Sequence, residues 1–143
     1  MQKLTKTGEL TRFEQQFTSA SEYLALENKT GIQAIQLQPE DDVDALSDHL
    51  KDITVIGVDF PAFADGRGFS HARKLRDVLA YEGEIIAVGN FMQDQLYYLK
   101  RCGFDSFAVA DDAPIDSMRE SLNDFSDAYQ AAADEPRPLF RRR

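Results

Sequence analysis

Apolar and polar positions change rhythm partway along this chain. Over the first thirty residues Phe13, Phe17, Tyr23, Leu24 and Leu26 are scattered without a strict period, so that stretch carries no element assignment. From Ile32 onward the pattern is regular, and four apolar stretches each lead into a segment of helical period. In the first, Ile32 to Gln38, Ile35 and Leu37 alternate with Gln36 and Gln38, as in a half-exposed strand. Pro39 then opens a predicted helix. Glu40, Asp41 and Asp42 occupy its first turn, where the helix dipole favours negative charge, and Val43, Leu46 and Leu50 form its apolar stripe.

The second strand, Thr54 to Asp59, is nearly continuous in β-branched and apolar residues, which suits a parallel strand covered on both faces. A loop from Phe60 to Phe69 leads to a helix starting near Ser70, with Ala72, Leu75, Val78 and Leu79 on its buried side and Gly83 as a left-handed cap. Glu84 to Val88 is the third strand. Gly89 follows, then Asn90 as an N-cap with Gln93 three residues on, and Met92, Leu96 and Leu99 turned inward. At the end of that helix, Gly103 after the cap lets Phe104 touch Leu99, the hydrophobic contact of a Schellman motif. Ser106 to Ala110 is the fourth strand. Pro114 opens a last helix in which Ile115, Met118, Leu122, Phe125, Tyr129 and Ala132 keep helical spacing, and Pro136 and Pro138 end it.

Strands alternating with helices across short connections imply an α/β fold of four consecutive βα units with parallel strands joined by right-handed crossovers. Half of a (βα)8-like barrel and a small open layered sheet both fit. Four strands do not close a barrel, so an edge is left for the N-terminal segment or a second copy to cover, and a homodimer is the expectation resting on that edge. Three segments result: a weakly patterned stretch at 1–31, one α/β domain at 32–135 and a basic tail at 136–143 containing Arg137, Arg141, Arg142 and Arg143.

At 143 residues the chain can bury a core of its own without a disulfide or metal. With Cys102 as its one cysteine and His49 and His71 as its histidines, one copy cannot assemble a disulfide, a four-cysteine zinc site or an iron–sulfur cluster, and no cofactor is expected. A net charge of −9 opposes nucleic acid and anionic membranes as partners. The first ten residues lack the apolar core of a secretory signal, and no apolar run is long enough to span a bilayer, so the expected location is the cytoplasm.

The loop Asp65-Gly66-Arg67-Gly68-Phe69-Ser70 follows a predicted strand and opens a helix, where backbone N–H groups and the dipole favour anions. Arg67, Arg73 and Arg76 add guanidinium forks suited to sulfate, phosphate or carboxylate. The loop lacks both the third glycine of a dinucleotide fingerprint and the Gly-Lys-Ser/Thr of a P-loop. A purely structural reading is equally concrete: the glycines permit a tight turn, Ser70 caps the helix, and the arginines pair with acids such as Asp59 or Asp65.

In parallel α/β folds the carboxyl ends of the strands share a rim where ligands bind, which would gather Asp59, Asp65, Arg67, Asn90, Asp94, Asp111 and Asp112. Carboxylates there suit a divalent cation, but helix-start chemistry explains the same residues, and no metal site is assigned. Cys102, late in a helix, reads as a buried inert thiol and His71 as a surface side chain.

Phe60-Pro61, Asp65-Gly66-Arg67-Gly68-Phe69-Ser70, Ala72-Arg73, Leu75-Arg76, Gly83-Glu84, Asp94-Gln95, Arg101-Cys102-Gly103-Phe104-Asp105 with Phe107, and Ala128-Tyr129-Gln130 with Ala132-Ala133-Asp134 recur in order in the bacterial DUF934 family. From about Gln38 onward the chain resembles that family, whose activity is undefined and for which no catalytic residues carry over. Genes of the family commonly neighbour those for assimilatory sulfite or nitrite reductase. The resemblance therefore implies an accessory protein of sulfite reduction, in sulfur assimilation and cysteine biosynthesis, that binds sulfite reductase, another enzyme of that pathway or a sulfur-oxyanion metabolite. The alternative is a small enzyme acting on a phosphorylated or sulfated substrate at the strand-end rim, with Arg67 and Arg73 holding the anion and Asp59 or Asp65 as acid–base.

Overall fold

The computed structural model describes residues 1–62 and 66–123. Asp65, the arginine tail, and Phe125, Tyr129 and Ala132 of the expected last helix lie outside them. The strands are β1 (Gln2–Thr5), β2 (Leu10–Arg12), β3 (Thr18–Ser19), β4 (Ala34–Leu37), β5 (Val55–Phe60), β6 (Glu84–Gly89) and β7 (Ser106–Val109). The helices are α1 (Ala20–Ala25), α2 (Arg67–Arg73), α3 (Leu96–Cys102) and α4 (Ile115–Leu122).

All seven strands form one sheet in the order β2-β1-β7-β6-β5-β4-β3. From β3 to β7 every neighbouring pair is parallel, whereas β1 runs antiparallel to both β7 and β2. The protein is thus a mixed α/β fold with a mostly parallel sheet, and the expectation of parallel strands alone is corrected at the β1–β2 side. The first thirty residues, which carry no clear pattern, supply three of the strands. β1 and β2 are short and polar, and they become strands only because β7 offers them an edge.

The segment after β4 departs from the expected α-helix. It forms two 3-10 turns, Val43–Leu46 and Leu50–Asp52, because short acidic side chains capture backbone donors: Asp42 accepts from the Asp44 N–H at 3.0 Å and Asp41 from the Gln38 N–H at 2.7 Å. Val43, Leu46 and Leu50 are buried nonetheless, so the pattern located the inward face correctly.

Alternation along the strands sends Ile35, Leu37, Ile56, Val58, Ile85 and Phe107 into the core that the helices cover, with α2 packed on α3 and α3 on α4. At its centre the Phe60 ring meets those of Phe69, Phe104 and Phe91 at 5.3, 5.8 and 6.3 Å. The opposite face of the sheet is crossed by the chain itself. β2 and β3 sit at opposite edges, about 29 Å apart if the sheet were flat. The stretch from Arg12 to Thr18 reaches at most about 22 Å, so the sheet curls to bring its edges together. Phe17, in that strap, lies so close to Gly57 that a Cβ there would stand 2.9 Å from the ring.

The α3 terminus follows the expected Schellman geometry. Gly103 has φ 116°, its N–H donates to the Lys100 carbonyl at 3.1 Å, and the Phe104 N–H donates to the Leu99 carbonyl at 3.2 Å. The end of the helix before β6 does not follow expectation. The left-handed residue is Ala80, with φ 55°, rather than Gly83. Gly83 is required for a different reason, since any side chain there would run into the Tyr81 hydroxyl.

Candidate functional site

β5 ends by placing Asp59 on the face away from the helices and Phe60 toward them. β6 ends beside it in a glycine, and only a glycine fits. Gly89 has φ 96°, and a Cβ there would lie 2.6 Å from both Asp59 Oδ1 and the Phe60 carbonyl oxygen. The next residue ties the two strand ends together: the Asn90 N–H donates to the Phe60 carbonyl at 2.6 Å and its Nδ2 to the Pro61 carbonyl at 2.9 Å. Asn90 therefore joins two loops instead of capping a helix. The N-cap position of the following 3-10 turn, Gln93–Gln95, belongs to Met92, whose N–H is held by Gln95 Oε1 at 2.8 Å.

On the other side of Asp59 stands the end of β4. The Gln38 side chain hydrogen-bonds the Asp59 carboxylate, and Glu40 lies near enough to repel it. Burial pushes the Asp59 carboxyl above the usual carboxylate range and Glu40 pushes the same way, while the bonds from Gln38 and the Phe60 backbone oppose them. His71, expected at the surface, is half-buried, with Nε2 2.9 Å from the Gln38 carbonyl oxygen, and thereby fastens α2 to the end of β4. The rim thus holds a carboxyl that takes up a proton more readily than an exposed one, framed by amides and a second carboxylate.

The arginines do not join it as a group. Gly66 precedes α2 without a side-chain cap, Arg67 is exposed at the helix start, and Gly68 is buried because a Cβ there would lie 2.5 Å from the Phe60 ring. Ser70, expected as the cap, is exposed within the helix. Arg73 turns its Nε to Asp77 at 3.1 Å. Arg76 stands about 13 Å from Arg67 along the helix axis, at the amino ends of β6 and β7. There it donates to the carbonyls of Tyr81, Gly83 and Gly103 at 2.7, 2.8 and 3.1 Å and pairs with Asp105. Asp94 is exposed, Asp112 is exposed, and Asp111 pairs with the Met1 amino group at 3.1 Å. Among the described residues no cluster of three His, Cys, Asp or Glu side chains is placed to hold a metal ion.

Cys102 is buried, and its interaction with Tyr98, together with burial, raises the Tyr98 phenol above its ordinary range. The sequence pattern assigns Gln38, Glu40 and Gly89 to a strand end, a helix start and a turn, and does not bring them to this rim. Gly89 was the available signal, a glycine directly after a β-rich stretch. At the opposite, amino ends of the strands a cleft of about 640 Å³ is lined by Tyr23, Lys29, His49 and Asp52, with the Tyr23 and His49 rings edge to face at 5.7 Å. Between α2 and α3 runs a shallower groove of about 450 Å³, lined by Phe69, Arg73, Val78 and Tyr98 among others. No helix among the described residues is long and apolar enough to cross a membrane.

Neither a search of curated proteins nor one of solved structures returned a match. Residues 34–140, which carry β4 to β7 and α2 to α4, match the model of a family described as bacterial protein of unknown function, and the chain belongs to that family, DUF934.

Proposed function

We propose that this DUF934 protein is an accessory protein of assimilatory sulfite reduction, acting in the cytoplasm by binding a reductase or another enzyme of sulfur assimilation without carrying electrons itself. The observation that carries the reading is the fate of the arginines. Arg76 is committed to the carbonyls and carboxylate beneath β6 and β7, and Arg73 to Asp77, so the guanidinium groups that would hold a small oxyanion are dispersed along α2. Recognition through an extended surface then fits better than capture of a metabolite at the rim. A chain with one, buried, cysteine and no dinucleotide fingerprint is also suited to a supporting role. The curl of five parallel strands in chain order is half-barrel-like in this reading, with the strap of Phe13 to Phe17 closing the side where a full barrel would continue.

The test is growth of a deletion strain on sulfate against cysteine as sole sulfur source. The reading expects poor growth on sulfate that only reduced sulfur repairs. Equal growth on both sources discards it. A purification from sulfate-limited cells that repeatedly recovers no sulfur-assimilation enzyme would count equally against it.

One observation favours a second reading, a small enzyme using the rim. The Asp59 carboxyl, raised by burial and by Glu40, is the kind of group that serves as an acid–base, with Arg67 beside the entrance to hold a phosphorylated or sulfated substrate. Titrating isotopically labelled protein with sulfate, sulfite and adenylyl sulfate tests it. Saturable amide shifts at Gly89, Asn90 and Arg67 are the expected result, and unchanged spectra at millimolar ligand reject it.

A further inference from the structure

Buried positions on α3 follow a helical period, and Leu96, Leu99 and Cys102 turn to the core. Tyr97 and Arg101, one turn apart, occupy the opposite face of the helix, where the period predicts solvent exposure. Arg101 is nevertheless only 2% exposed. Its guanidinium lies over the Tyr97 ring, 5.6 Å from the centroid, and Nη1 donates to the Tyr97 hydroxyl at 3.1 Å. Lys100 brings a second cation to the same ring, at 6.0 Å.

Among the described residues the other two nitrogens, Nε and Nη2, have no hydrogen-bond partner, and Arg101 enters no ion pair. These two nitrogens share one edge of the planar group. Nε–H and one N–H of Nη2 point the same way along it, which is the arrangement that grips two oxygens carried by one atom. A guanidinium does not shed its charge. Taken out of water without a counter-charge, it destabilises the fold by far more than one phenol hydrogen bond and one ring contact return. Arg76 shows the contrast, because it is less buried and still has every nitrogen engaged by carbonyls or by the Asp105 carboxylate.

We infer that the Nε–Nη2 edge of Arg101 is the receptor of a two-oxygen anion, a carboxylate or a tetrahedral oxyanion held side-on. A partner's side chain is a poor donor of that anion, because it would have to reach a group that the surface barely shows. Two sources fit. One is an oxyanion from solution, since this face of α3 lies away from the sheet. The other is a carboxylate of residues 124–143, which follow α4, the helix packed against α3, and include Asp124, Asp127, Asp134 and Glu135. The inference rests on neither the accessory reading nor the rim.

The test compares the full chain with Arg101→Met, which keeps a long unbranched side chain and removes the donors. Both are melted in chloride, sulfate and phosphate at equal ionic strength, so that general salt effects act on both alike and cancel. With a dissolved oxyanion as the source, sulfate or phosphate should raise the melting temperature of the native chain saturably, by about 5 °C, and leave the variant where chloride puts it. With the chain's own carboxylate as the source, the salts act equally. One of Asp124→Asn, Asp127→Asn, Asp134→Asn and Glu135→Gln should then lower the melting temperature of the native chain and have no effect beside Arg101→Met. Nitrogen-15 NMR of the Arg101 Nε–H gives a readout on chains that keep the arginine: it should shift with sulfate or phosphate in the first case and on the one acid replacement in the second. Either pattern upholds the receptor and names its source. An Nε–H signal that neither the two salts nor any of the four replacements moves would overturn it, as would an Arg101→Met chain that is more stable than the native one in all three salts and uncoupled from every acid.

Discussion

Arg76 and Asp105, 29 residues apart in sequence, are paired side chain to side chain beneath the amino ends of β6 and β7. The same carboxylate accepts the Ile85 N–H at 3.0 Å, and the same guanidinium satisfies carbonyls of Tyr81, Gly83 and Gly103. One ion pair therefore closes the end of α2, the start of β6 and the turn before β7. Leu75-Arg76, Gly83-Glu84 and Gly103-Phe104-Asp105, three of the motifs that carry the sequence resemblance, converge here.

Removing the guanidinium leaves three carbonyls and a partly buried carboxylate without their partner. Arg76→Ala should lower stability by about 2–3 kcal/mol, read from urea denaturation. Arg76→Lys should restore only a minor part, because a single ammonium cannot reproduce the fork. A loss below about 0.5 kcal/mol for the alanine variant would mean that solvent replaces these bonds.

Phe17 and Gly57 should show coupling that changes sign. In the native chain Gly57→Ala forces the strap off the sheet and should cost about 1 kcal/mol. With Phe17→Ala already present, the same change should stabilise by about 0.5 kcal/mol, through the lost freedom of the unfolded chain. A double-mutant cycle in denaturant measures this. Additive effects would show that the strap does not bear on Gly57.

Ala80 occupies a left-handed conformation in which its Cβ is crowded. Ala80→Gly relieves that strain at some cost in unfolded-state entropy, and the balance should raise stability by about 0.5 kcal/mol. At Gly83 the opposite holds: Gly83→Ala should destabilise, since the added methyl displaces the Tyr81 hydroxyl from its 2.9 Å bond to the Ile53 carbonyl. Thermal melting of the two variants should move in opposite directions.

Asp59 gives a pH signature of definite sign. Its folded carboxyl binds a proton more tightly than the unfolded one, so between the ordinary carboxylate range and its raised value the folded state holds more protons. Stability from this group is present below that window and is lost as pH rises through it. Asp59→Asn should accordingly leave the melting temperature near the native value in acid and raise it at neutral pH. A variant less stable than the native chain at neutral pH would show that the charged form is the stabilising one.

Much of the fold was legible because it is local. Alternation and β-branching found β4 to β7 to within a few residues, and Gly103 followed by Phe104 gave away the Schellman ending. Some of the misses depend on a neighbour distant in sequence and others on how a local turn closes. Leu10 to Arg12 has no strand pattern until β1 lies beside it, and Val78 keeps a core period but is exposed where the helix after Arg73 widens into a π turn. Within the candidate site Asp59 and Asn90 were foreseen at the rim, but Gln38 and Gly89 reach Asp59 only through the register of three strands. Arg67, Arg73 and Arg76 looked like one cluster because they are close in the chain. Helical rise separates them, and three carbonyls from two other segments claim the last.

By itself the sequence determined the class of fold, the inward face of most regular segments and the parallel sense of β4 to β7, since these follow from side-chain period and short connections. Tertiary structure decided which edges the N-terminal segment would cover and which charged groups would face each other. Those outcomes depend on distances between residues far apart in the chain, and no local pattern records them.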